Sequence, residues 1–355
     1  MERNTNPLYF LRFVAALAIV FFHYTPEPEK PGLNWLNYNS DEAVTFFFFI
    51  SGFVMVLTNG NYLTAAVASF SKNEFYLKRF ARIYPLYIFA IITLASFHYG
   101  IRPIDTDTVK YRLIFETLAI QRWLYAGSFN YPGWSISAEF FFYLLFPFAL
   151  VFMRSHPKKY TWLVCGYYIL AVGATQALAY LKEMHMPGAP GKIADILFMH
   201  PVFKFAIFLA GTLCGKAFVE SRITYFRKKW NRVFAMLASA AVILFAKYTL
   251  PFEMLGSGLL SPVYFVFVLA VTGFSKRGSA IFSTPLMLFL GEISYGVYIL
   301  QYPVYVYFNR YLTKVTTLQS LVLYAVTLVI VASVTYHLVE KPAKKLVLSM
   351  GARKQ

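Results

Sequence analysis

Apolar residues run along this chain in ten stretches, near positions 8–24, 44–60, 84–100, 134–153, 161–181, 200–218, 233–250, 258–274, 285–308 and 318–338. Most approach the roughly 20 residues that a helix needs to cross the hydrocarbon of a bilayer. Ten such runs predict an all-α, polytopic membrane bundle of about ten transmembrane helices, forming a single domain over 1–355 with no soluble domain appended. The first run resembles a secretory leader in length. Arg12 interrupts it, however, no small-residue cleavage site follows, and further apolar runs come after it, so it reads as the first membrane helix. The longest connection on the predicted outer side, about 101–133, holds a half-apolar stretch from Leu113 to Tyr125. That stretch is too short to span and reads as an interfacial or re-entrant piece.

Composition supports the membrane reading. The chain is 58% hydrophobic and 19% aromatic, only 14% charged, and has a mean hydropathy of +0.54, where a soluble domain would carry about a quarter of charged residues. The 37 Phe and 27 Tyr fit side chains that anchor helices at both interfaces and pack between them. A net charge of +17 would ordinarily raise nucleic acid as a partner. With both termini placed inside, the inner loops carry about twice as many Lys and Arg as the outer loops, the bias that membrane insertion imposes. The excess charge is therefore topological, and nucleic acid drops out. Cys165 and Cys214 lie inside apolar runs without metal-ligand spacing and read as packing residues; no metal is expected.

Candidate chemistry rests on the polar residues inside these runs, because a charge at membrane depth is costly unless it is paired or functional. Arg12 and His23 are eleven residues apart on the first run, which puts both on one helical face about 16 Å apart. His23 has a plain reading as an interfacial histidine, but Arg12 lies too deep to be explained by snorkelling. Arg79 and Arg82 share a face at the start of the third run. They read either as an inner-surface anchor with Lys78 or as a clamp for phosphates, which paired guanidinium forks suit. Ser135 and Glu139 share a face of the fourth run, at a depth expected to match His23, where Glu139 could orient a histidine. Glu292 is expected to partner a buried arginine and Glu340 the neighbouring lysines, while Lys204, Lys216 and Lys247 are expected to snorkel.

Taken in order, these residues resemble the integral membrane acyltransferase-3 family, the O-acetylases of polysaccharide, lipopolysaccharide and peptidoglycan. Arg12 and His23 match its arginine, ten residues, histidine signature, and FFFFISGF at 46–53 its second-helix block. Arg79-Phe-Ala-Arg82 matches its R-x-x-R and Ser135 to Glu139 its S-x-x-x-E, while SYGVYILQYPV and VEKP match its closing blocks. The resemblance covers nearly the whole chain. It implies acyl-CoA, often acetyl-CoA, as co-substrate, a carbohydrate or glycolipid hydroxyl at the outer side as acceptor, and a bacterial inner membrane. His23, Glu139 and Arg12 would then be the catalytic group and Arg79, Arg82 and Ser135 the donor-binding group. His23 would act as general base or as the carrier of an acyl-histidine intermediate. In one departure, many members carry histidine where this chain has Gln301, which leaves His23 as the sole candidate base. A saccharide or glycolipid transporter would also use ten spans with intramembrane charges, but no inverted repeat is visible.

Overall fold

All ten predicted runs are helical in the structure, a computed structural model that describes residues 5–26, 41–64, 69–101, 107–124, 127–183, 199–220, 228–250, 252–273 and 280–352. In chain order the helices are α1 (Asn6–Tyr24), α2 (Asp41–Thr58), α3 (Gly60–Leu63), α4 (Lys72–Ile101) and α5 (Asp107–Thr117), then α6 (Trp134–Ser155), α7 (Pro157–Glu183), α8 (Pro201–Val219) and α9 (Lys229–Thr249). They continue with α10 (Phe252–Gly256), α11 (Ser261–Thr272), α12 (Pro285–Tyr311), α13 (Leu318–Thr335) and α14 (Lys341–Ala352). A single wide π turn, Tyr336–Glu340, joins the last two. There is no strand among the described residues.

Seven stretches are long and apolar enough to cross a membrane: Asn6–Tyr24, Lys72–Phe97, Tyr131–Ser155, Pro157–Leu178, Pro201–Val219, Lys229–Thr249 and Leu318–Gly351. The apolar parts of α2 and α11 are shorter. At 27 residues α12 is long enough but carries a polar stripe. Sequence and structure differ most at α4, which begins twelve residues before the apolar run does. Ser71 Oγ accepts the Glu74 N–H at 3.3 Å, and Glu74 pairs with Lys78 at 2.5 Å one turn on, so a capped and charged turn extends the helix. Arg79 and Arg82 consequently lie about 10 and 15 Å inside α4 rather than at its start.

The chain forms two compact units interleaved along the sequence, one of Met1–Ala15, Tyr38–Phe70 and Leu145–Gly291, the other of Ala16–Asn37, Ser71–Leu144 and Glu292–Gln355. In the first, α2 packs on α8 with the backbones in contact. A Cβ on Gly52 would meet the Phe208 carbonyl oxygen at 2.0 Å, and one on Gly211 the Phe49 carbonyl oxygen at 1.9 Å. Small residues permit this approach between membrane helices, and the buried rings of Phe48, Phe49, Phe53 and Phe208 fill the space around it. Lys204 departs from the snorkelling expectation. It is only 1% exposed, and its ammonium donates to the Gly256 carbonyl at 2.5 Å, because the end of α10 offers an acceptor inside the unit. Lys216 and Lys247 are ion-paired, with Glu220 at 3.0 Å and Glu42 at 3.5 Å.

In the second unit, the connection after α4 folds back along it. Tyr84 Oη donates to the Thr117 carbonyl at 3.1 Å and Tyr87 Oη to the Glu116 carbonyl at 2.7 Å. These tyrosines sit near the middle of the 30-residue α4, so the segment packs against the middle of that helix.

Candidate active site

Within the second unit, α12 presents Glu292, Tyr295, Tyr298 and Gln301, one polar side chain every third residue, in a stripe that winds about half a turn around the helix. The four cover about 13.5 Å along the axis. Each is tied to a different segment, so the stripe organises the unit's polar interior from an arginine end to a histidine end.

The arginine end is built by α4, α12 and the π turn. Arg82 donates through Nη1 to the Glu340 carboxylate and through Nη2 to the Glu292 carbonyl at 3.1 Å. The Glu292 carboxylate accepts the Tyr336 hydroxyl. Tyr336 and Glu340 are the first and last residues of the π turn, and its widened geometry turns both inward, where they are buried. Glu340 therefore pairs with Arg82 and not with the neighbouring lysines, of which Lys341 instead lies over the Tyr336 ring at 4.7 Å. The partnership expected for Glu292 runs through its backbone carbonyl. Arg79 has a different environment: its guanidinium lies 5.5 Å from the Phe75 ring centre, its buried Nε has no hydrogen-bond partner among the described residues, and its titratable neighbours are Tyr143, Arg82 and Glu139.

Glu139 belongs near this end. It accepts the Tyr143 hydroxyl at 3.0 Å and acts electrostatically on both Arg79 and Tyr295. Among the described residues no hydrogen bond joins Glu139 to His23, and α6 instead sets its carboxylate within electrostatic reach of Arg79 on α4. Ser135, at the start of α6, donates to the Pro132 carbonyl at 3.2 Å and is buried.

At the other end, His23 Nδ1 lies 2.9 Å from Gln301 Oε1. Gln301 is fully buried, and its Nε2 donates to the Tyr298 carbonyl at 2.8 Å. That bond fixes which way the amide points and leaves Oε1 for the imidazole. His23 then carries its proton on Nδ1 and its lone pair on Nε2. Tyr131 meets the imidazole edge-on, centroids 4.9 Å apart. Tyr24 stacks with Tyr305 at 4.3 Å and meets Tyr324 at 5.1 Å, and Tyr324 Oη donates to the Gln301 carbonyl at 2.8 Å, so aromatic packing holds α1, α12 and α13 in register around the pair. Arg12 lies on the same α1, half-buried, in the part of the helix that belongs to the first unit.

The structure thus brings Arg79, Arg82 and Glu139 together, sets His23 apart from them, and gives it a partner that the sequence reading did not assign. The period-three polar stripe on α12 was the signal that could have identified Gln301.

A family model described as an acyltransferase domain matches residues 8–337. The chain is 32% identical over 164 residues to acyltransferase MdmB of Streptomyces mycarofaciens, an overlap of 43% of this chain and 41% of the relative. It is 23% identical over 368 residues to the peptidoglycan O-acetyltransferase OatA of Listeria monocytogenes, 94% of this chain and 55% of the relative. With O-acetyltransferase OatA of Staphylococcus aureus the identity is 21% over 377 residues, 97% and 59% of the two chains. The chain therefore spans less than two thirds of the length of these relatives. No solved structure matches it significantly.

Proposed function

Since the chain belongs to the acyltransferase-3 family, we propose that it is a membrane-bound O-acyltransferase that moves an acetyl or related acyl group from acyl-CoA to a hydroxyl of a carbohydrate or glycolipid. The observation that carries this reading is the His23–Gln301 pair, which leaves a basic imidazole nitrogen at one end of a polar stripe whose other end holds two arginines. O-acetyltransferase relatives that overlap nearly the whole chain add weight to the oxygen acceptor. Ten spans with both termini inside, in a bacterial inner membrane, complete the proposal. The arginine end then faces the cytoplasmic donor and His23 an outer-facing acceptor.

In this reading Arg79 contacts the nucleotide phosphates, since its Nε is uncommitted, and Arg82 positions the ends of α12 and α14 around it. His23 Nε2 takes the proton of the acceptor hydroxyl as its oxygen bonds to the acyl carbon. The carbon–sulfur bond breaks, and the imidazolium returns the proton to the departing thiolate, so the histidine is regenerated. Gln301 holds the required tautomer and supports the imidazolium through its amide oxygen.

The test is transfer or hydrolysis of radiolabelled acetyl-CoA by the purified protein in nanodiscs, with wild type and His23→Ala side by side. Wild type is expected to consume the label, and the variant to be slower by about 100- to 10,000-fold, the usual share of a general base. Equal rates would remove His23 from the mechanism.

A further inference from the structure

We propose that Arg122 and the exposed ring of Tyr131 form the acceptor subsite beside His23, and that this subsite takes a sugar bearing an anionic group, a carboxylate or a phosphate. The inference rests on the acyl-transfer reading and deepens it by naming the class of acceptor.

The subsite grows out of the connection between α5 and α6. Ala119 adopts φ 54°, a left-handed conformation unfavourable for a residue with a Cβ. It closes α5 in a Schellman pattern, with Ile120 N–H to the Phe115 carbonyl at 2.9 Å and Ala119 N–H to the Glu116 carbonyl at 2.8 Å. Several described residues that follow this cap are tied to the rest of the unit. Gln121, fully buried, donates to the Gly133 carbonyl at 2.8 Å. The Glu116 carboxylate accepts the backbone N–H groups of Phe129 and Asn130, and Asn130 Nδ2 donates to the Ile299 carbonyl at 3.0 Å. Tyr298 Oη donates to the Pro132 carbonyl at 3.1 Å.

Arg122 is the cation held in this rigid frame. Its guanidinium lies 5.8 Å from the Trp134 ring centre and within electrostatic reach of Tyr131, Glu116 and Tyr298, and its buried Nε has no hydrogen-bond partner among the described residues. No ion pair joins Glu116 to it among the described residues, and burial raises the Glu116 pKa to about 8, which favours the uncharged carboxyl. A guanidinium within cation–π reach of an indole, with an unpartnered Nε, fits carboxylate or phosphate oxygens. Tyr131 links it to the chemistry, since this ring both meets His23 edge-on and is 49% exposed. An exposed aromatic face is where the apolar side of a sugar ring stacks. A sugar seated there places a ring hydroxyl toward His23 and a charged substituent toward Arg122.

Binding, read independently of catalysis, tests the subsite. Wild type, Arg122→Gln and Arg122→Lys, shown by thermal unfolding to be equally folded, are compared in phosphatidylcholine nanodiscs for affinity toward trigalacturonate and its methyl ester, and toward mannose 6-phosphate and mannose. Wild type should prefer at least one free anion over its neutral match by about tenfold or more; which of them it prefers separates carboxylate from phosphate. Arg122→Gln should lose that preference and Arg122→Lys keep part of it. Equal affinities in wild type, or a preference that survives in Arg122→Gln, overturn the proposal. Abolition of the preference by phosphatidylglycerol in the disc assigns the site to a lipid headgroup and overturns it as well. If the preference holds but acetyl-CoA is not used, the subsite stands and the acyl-transfer reading falls; acyl transfer without any preference gives the reverse.

Discussion

At the scale of single residues, function turns on which partner each polar side chain has. His23 and Glu139 were both visible in the sequence as costly membrane groups, yet the histidine pairs with Gln301 and the glutamate lies within electrostatic reach of Arg79. Gln301→Ala removes the acceptor that fixes the imidazole tautomer and leaves the arginine end untouched. Turnover is expected to fall about 10- to 100-fold, within the share a general base supplies, with the KM for acyl-CoA nearly unchanged; steady-state kinetics on both substrates reads the split. Arg79 and Arg82 looked equivalent in R-x-x-R and are not. Arg79→Ala should raise the donor KM about tenfold or more, the worth of a charge-assisted contact, with the melting temperature close to wild type. Arg82→Ala strands the buried Glu340 carboxylate and should lower stability by roughly 3–5 kcal/mol, measured by thermal unfolding in detergent.

At the scale of elements, the helices were legible because a lipid-facing run must satisfy its own backbone hydrogen bonds, and their ends moved only where local chemistry intervened. The capped turn at Ser71 lengthened α4, and the π turn at Tyr336–Glu340 interrupted the last helix to turn two acceptors and donors inward. Which faces meet was less legible. FFFFISGF reads as a greasy run, and only the packed pair shows that Gly52 and Gly211 let α2 and α8 touch backbone to backbone. Gly211→Val should therefore force the two helices apart and cost about 1–3 kcal/mol or more, seen as a lower midpoint in detergent-induced unfolding. The same change at Gly166, where a Cβ meets nothing within 4 Å, should be nearly silent.

At the scale of the whole molecule, the two units draw on separated stretches of chain, and α1, α6 and α12 each contribute to both. No local window of sequence reports such a division, since it depends on contacts between residues hundreds of positions apart. Buried charge also gives the molecule a pH response. Burial raises the Glu116 pKa from 4.5 to about 8, so between these values folded Glu116 keeps a proton that the unfolded chain has released. Stability from this group is thus greatest at low pH and falls as pH rises from about 4.5 toward 8. Glu116→Gln should flatten the dependence of melting temperature on pH across that window; an unchanged slope would locate the response elsewhere.

The sequence by itself determined that the chain is helical and built for a membrane, where the apolar cores of its helices run, though not the twelve-residue extension that opens α4, and which polar residues are too costly to be there without purpose. These are properties of local hydropathy and of backbone hydrogen bonding within a helix, which need no distant partner. Only the tertiary structure decided that Gln301 faces His23, that Glu340 claims Arg82 while Arg79 keeps an uncommitted Nε, and that the loop carrying Arg122 and Tyr131 returns to the histidine. Side chains that far apart in sequence can satisfy one another only once packing has fixed the helices, and in lipid the need to pair buried charge then selects the partner.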